Sequence, residues 1–166
     1  MSSAAAGFWL FVSLLLQSTV LHRLAIAGTR PDLLLVLTII TGLLQGTRYG
    51  AAVGFIGGLM QDILIGRFLG MNALVKMIIG YLVGMTEEKV FKENFLTPFA
   101  AVLLGTLLSE LLLWFLFRVY GRAIPFSDAL LRIILPGIGY NCLVAVLCIA
   151  RLNRVKLTAL TYDRSA

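Results

Sequence analysis

Between Tyr49 and Gly70, glycine returns every fourth residue, at Gly50, Gly54, Gly58 and Gly66, and the one remaining place in that register is Asp62. Residues four apart share one face of a helix. That face therefore has no side chains apart from a single carboxylate, while Val53, Phe55, Ile56, Leu59, Ile63 and Leu64 surround it. A bare stripe lets a second helix bring its backbone close, as small residues do between membrane helices. The next apolar segment repeats the step with Asn72, Lys76, Gly80 and Gly84, and only Gly66–Gly70 separates the two. The pattern predicts a tight antiparallel hairpin whose packing positions are Gly50, Gly54, Gly58, Gly66, Gly80 and Gly84.

A soluble chain could not carry such a hairpin with this surroundings. Of 166 residues, 60% are hydrophobic and 13% charged, and the mean hydropathy is +0.96. Too little polar surface remains to clothe a soluble domain, so the chain reads as an integral membrane protein. The apolar runs carry their polar residues at helical rather than alternating spacing, which excludes barrel strands. The net charge of +6 comes from Lys and Arg at segment ends, where they anchor helices to headgroups. It does not imply nucleic-acid binding. Cys142 and Cys148, six apart on one segment, fall on different faces and predict no mutual disulfide.

The predicted fold is all-α: one polytopic membrane domain of six transmembrane helices, at about 4–21, 31–46, 49–65, 69–85, 95–117 and 129–150. The first resembles a signal-peptide core followed by Ala25-Ile26-Ala27, but no Lys or Arg precedes it, and it is expected to be retained. Pro31 and Asp32 are helix-start chemistry: proline wastes no N–H and the carboxylate faces the positive helix end. The segment they open is short, and reads either as a span drawn out from Pro31 through Gln45 or as a half-span buried among neighbours. Residues 45–48 form a tight turn, and the charged stretch 87–94 is a solvent-facing loop. Pro136, Gly137 and Gly139 predict a break in the last span, either a packing kink or an unwound ligand-binding stretch. Lys and Arg divide seven to six between the two sides, with Lys76 inside a span. The basic tail tips both termini toward the cytoplasm.

Ionisable groups inside a membrane point to function or to structural pairing. Asp62 and Lys76 flank the Gly66–Gly70 link at similar depth if the hairpin is symmetric about Phe68. They are expected to pair and fix its register, the functional alternative being a ligand site or a proton-coupled group. Asn72 shares the Lys76 face, and Asn141 follows the Pro-Gly break. Glu110, in mid-span, either shares Lys76 with Asp62, or leaves one carboxylate protonated, or serves a helix of another protein. His22 stands alone at a boundary, without metal-ligand spacing. No catalytic, cofactor or metal motif is present: there is no His-Glu-x-x-His, no Gly-x-Ser-x-Gly and no phosphate-cradling loop. Asp62 also lacks the Gly-x-Gly-Asp context of intramembrane aspartyl proteases. The chain is expected not to be an enzyme.

Taken in order, Pro31-Asp32-Leu33-Leu34-Leu35, the Gly50, Gly54, Gly58, Asp62 series, Leu69-Gly70-Met71-Asn72-Ala73-Leu74 and Gly80-Tyr81-Leu82-x-Gly84 resemble the MreD family of rod shape-determining proteins. The resemblance covers about 30–84 by motif and the whole length by hydropathy. It implies a non-catalytic, six-helix protein of the bacterial inner membrane. Such a protein acts as a scaffold for cell elongation and lateral peptidoglycan synthesis and needs no cofactor. The implied partners are an MreC-like bitopic protein, the MreB filament, RodA with its class B penicillin-binding protein, and membrane lipids. It also implies a fold similar to the substrate-binding subunits of energy-coupling-factor transporters. The alternative function is therefore a small-molecule-binding membrane subunit of that vitamin-transporter type.

Overall fold

The computed structural model describes residues 3–19, 30–66, 68–86, 96–121 and 124–148. The loop 87–94, the tail 151–166, His22 and Ala25–Ala27 lie outside the described residues. The described elements are helical: α1 (Ser3–Thr19), α2 (Leu33–Ile65), α3 (Met71–Gly84), α4 (Leu96–Val119) and α5 (Phe126–Cys148). Three of these, Leu33–Ile65, Pro98–Val119 and Phe126–Cys148, are long and apolar enough to cross a membrane, and Gly7–Gln17 and Met71–Gly84 are shorter apolar helices.

α2 is two helices back to back. Gly46 interrupts it with φ 79° and ψ −172°, a backbone region that side chains with a Cβ rarely adopt. A straight helix would hold Leu34 and Gly57 roughly 35 Å apart at 1.5 Å per residue. Instead a Cβ built on Gly57 would lie 3.6 Å from Leu34 Cδ2, and one on Gly50 would lie 2.8 Å from the Gly42 Cα. The halves, 33–45 (α2a) and 47–65 (α2b), therefore run antiparallel with the turn at Gly46. This is the predicted turn at residues 45–48.

α2a is the centre of the molecule. Leu35, Val36, Ile39 and Leu43 from α2a join Val75 and Ile79 from α3, Val102 from α4 and Ala145 from α5 in the main buried cluster. Leu34 packs with Leu10 of α1 and Val53 of α2b in a second. At 13 residues α2a rises about 20 Å, and its neighbours cover it all round.

The glycine hairpin forms between α2b and α3. A Cβ on Gly50 would strike the Gly80 carbonyl, one on Gly54 the Lys76 carbonyl, one on Gly58 Asn72 and Ala73, and one on Gly84 Thr47. Numbers rise on one helix as they fall on the other, so the pair is antiparallel. Gly66 does not belong to this stripe: nothing lies near its Cβ position, and its φ of 66° makes it the left-handed cap of α2b. The helix needs that cap because its last carbonyls have no partners within it. Gly42 and Gly105 are further close approaches outside the four-residue stripe; a Cβ on Gly105 would lie 2.7 Å from Ile39 Cδ1.

The break predicted at Pro136, Gly137 and Gly139 does not occur there. Helix continues through all three, and the irregularity lies one turn earlier, where Leu130–Ile134 is π-helical. Proline removes an N–H and crowds the carbonyl four residues before it. Widening the preceding turn relieves that crowding while keeping the segment helical. Large apolar side chains, among them Phe55, Ile56, Leu104, Phe115, Leu135 and Leu143, are exposed, as a lipid environment accepts.

Candidate functional site

A connected polar network runs through the interior beside α2a. It starts at Asp32, the N-cap of α2a, whose Oδ1 accepts from the Leu35 N–H at 2.9 Å. The Pro-Asp start therefore behaves as its sequence predicts. The other oxygen, Oδ2, accepts from Lys76 Nζ at 2.6 Å. Lys76 is fully buried, while the Asp32 side chain keeps 16% of its surface exposed, so the pair sits at the margin of the core. A second, longer contact joins Nζ to Asn72 Oδ1 at 3.5 Å.

The expected Asp62–Lys76 pair is not made, and the hairpin register explains why. Gly54 lies against Lys76 and Gly58 against Asn72–Ala73, so α2b continues past the start of α3 by about a turn. Asp62 consequently lies beyond the first residues of α3. Its carboxylate accepts from Gly70 N–H at 2.9 Å, Ala73 N–H at 3.1 Å, Asn72 N–H at 3.3 Å and Asn72 Nδ2 at 2.7 Å. These are the orphan donors of the helix N-terminus, and a carboxylate there also opposes the helix dipole. Asp62 is only 2% exposed, yet three backbone N–H groups and one side-chain amide satisfy it. Asn72 links Asp62 to Lys76, its amide nitrogen donating to the carboxylate and its amide oxygen turned toward the ammonium.

Asn141, buried on α5, closes the network from the far side. Its Oδ1 accepts the Asp32 N–H at 2.8 Å, and its Nδ2 donates to Thr106 Oγ1 of α4 at 3.3 Å. One amide thereby joins α2, α4 and α5. Glu110 lies one turn from Thr106 on the same face of α4 and is half-buried. Sequence reading placed Asp62, Lys76, Asn72 and Glu110 inside the membrane but missed Asp32 as the lysine's partner. The available signal was that an N-cap uses one carboxylate oxygen and leaves the other free.

An aromatic rim lies over this end of the bundle. The Phe68 ring meets Phe117 at 5.6 Å and Tyr120 at 5.8 Å between centroids. Trp114 Nε1 donates to the Ile124 carbonyl at 3.2 Å, and its ring meets Phe126 at 5.3 Å. Aromatic residues of this kind favour the boundary between lipid and water. Beneath Phe68 and Phe117 is a cavity of about 210 Å³, mostly apolar, reaching Asp62 and Asn72.

These observations describe a membrane bundle whose polar groups join helices to one another. The family model for the rod shape-determining protein MreD matches residues 4–150. The chain belongs to the MreD family. No curated protein and no solved structure is significantly similar to it. Membership of the MreD family makes this a cell-shape membrane protein, and a structural one rather than a member of a known enzyme family. The motif-bearing stretch, from Pro31 through Gly84, coincides with α2 and α3, the most closely packed part of the fold.

Proposed function

We propose that this MreD-family chain is a non-catalytic scaffold of the cell-elongation complex in the bacterial inner membrane. It receives the membrane helix of an MreC-like bitopic partner and supports lateral peptidoglycan synthesis. The observation that carries the reading is the internal use of the polar network: Asp32, Lys76, Asp62, Asn72 and Asn141 are bonded to other helices of the same chain. Such a core makes a stiff body for partners to lean on. With the fold-back at Gly46, six helical segments cross the membrane, both termini are cytoplasmic, and the Gly66–Gly70 link faces outward.

A pull-down from detergent extract tests the scaffold. Recovery of the partner is expected to fall sharply when its membrane helix is deleted; unchanged recovery overturns the reading. Topology has its own test. A cysteine at Thr47 is expected to react with an impermeant thiol reagent only from the cytoplasmic side, and one at Leu69 only from the outside. Reaction of both from one side removes the six-span arrangement.

The cavity of about 210 Å³ lined by Asp62 and Asn72 favours, as a second reading, the small-molecule-binding subunit of a vitamin-type transporter. That reading requires a ligand to copurify with the protein from its native membrane, detectable by mass spectrometry of the extracted chain.

A further inference from the structure

We propose that the cavity beneath Phe68 and Phe117 is a lipid site, a pocket that takes in the acyl chain of a membrane phospholipid. This names what the cavity holds, and it stands whether or not the chain serves a transporter. The walls decide the class of occupant. Ile65, Phe68, Met71, Phe117 and Ile124 are apolar, and the other two lining residues, Asp62 and Asn72, are already engaged. Each carboxylate oxygen of Asp62 accepts two N–H donors, Oδ1 from the Asn72 backbone and side chain and Oδ2 from Gly70 and Ala73. The Asn72 amide divides between Asp62 and Lys76. A polar ligand entering here would leave its bonds to water without finding replacements, and water itself needs about two to four polar partners in a cavity. A hydrocarbon chain has no such requirement and gains contacts along its length. The volume, about 210 Å³, is sufficient, since a dry apolar cavity of roughly 150 Å³ already takes up benzene. The way in lies at the end of α2b. Ile65 is 53% exposed, whereas Met71 and Asp62, at the floor, are 6% and 2% exposed. Ile63, Leu64 and Leu69, close to Ile65 in the chain, are exposed apolar residues as well, so the mouth opens among side chains that face lipid. Tyr120, against Phe68, and Trp114 set this end of the bundle near headgroup depth, level with the ester end of an acyl chain.

Photolabelling of the full-length protein in phospholipid nanodiscs tests this. The probe is a phosphatidylethanolamine with a diazirine on its acyl chain, placed near the ester in one preparation and at the chain end in another. Peptide mass spectrometry locates the adducts. Lipid around the bundle reaches exposed residues such as Phe55 and Leu104, whereas Met71 and Asp62 are reached only from within the cavity. The expected result is an adduct on Met71 or Asp62 from the near-ester probe. It is expected to fall to background in Ile65→Trp, which narrows the mouth at an exposed position, or in Ile124→Phe, which fills the interior, while the adducts on Phe55 and Leu104 persist and report an intact fold. Wild-type labelling confined to exposed residues with both probes, or labelling of Met71 and Asp62 unchanged in both variants, overturns the proposal. Native mass spectrometry of the detergent-extracted protein gives a readout independent of photochemistry. Retained phospholipid is expected in the wild type and less of it in Ile65→Trp; a retained water-soluble molecule in place of lipid overturns the proposal as well.

Discussion

At the scale of single residues, the partnership of Lys76 decides the most. Removing one member of a buried pair leaves the other charge without compensation, at a cost of about 3 kcal/mol. Asp32→Asn and Lys76→Met are each expected to destabilise the protein by that amount in denaturant titrations in detergent, and the double variant is expected to recover much of the loss. Asp62→Asn is expected to cost about 1 kcal/mol, the value of a helix cap, and pairing it with Lys76→Met should give no recovery. That contrast separates the observed partner from the one the sequence suggested. That Asp62 and Lys76 are polar groups of the interior was legible from hydropathy, and the capping role of Asp32 from the Pro-Asp step. Their pairing was not, because it depends on how far α2b overshoots the start of α3. A sequence symmetric about Phe68 carries no record of that overshoot.

At the scale of elements, the glycine pattern foretold α2b and α3 well, because a close approach of backbones leaves a direct mark at helical spacing. Gly54→Ala and Gly80→Ala place a methyl group against the facing backbone and are expected to cost about 1–3 kcal/mol through overpacking. Gly139→Ala is the control. Its Cβ position is empty, it is exposed, and it lies in continuous helix, so alanine is expected to leave thermal stability unchanged or raise it by up to about 1 kcal/mol. A large loss there would restore the break expected at Pro136–Gly139. Sequence pattern marks the proline but not how the chain absorbs it: a kink, an unwound turn and a π-turn all begin from the same missing N–H. Gly66 misled for a related reason. It holds the stripe's spacing, yet its φ of 66° serves the turn.

At the scale of the whole molecule, Asn141 is the point where α2, α4 and α5 meet. Asn141→Leu leaves the Asp32 N–H and the Thr106 hydroxyl without their partner, which is expected to cost about 1–3 kcal/mol and to make the α4–α5 connection more susceptible to proteolysis. No local motif announces this junction, since it joins residues more than a hundred positions apart. The short central helix bears on how the molecule is made. On its own, α2a is well below the ~20 apolar residues that a spanning helix needs, so it is a poor candidate for independent insertion as it leaves the ribosome. Its fold-back at Gly46 ties it to α2b, and the two would have to enter the bilayer together as one loop. Biogenesis would then pause on a half-made hairpin, and a nascent chain ending near Gly46 should leave residues 33–45 outside the lipid, as glycosylation mapping can report.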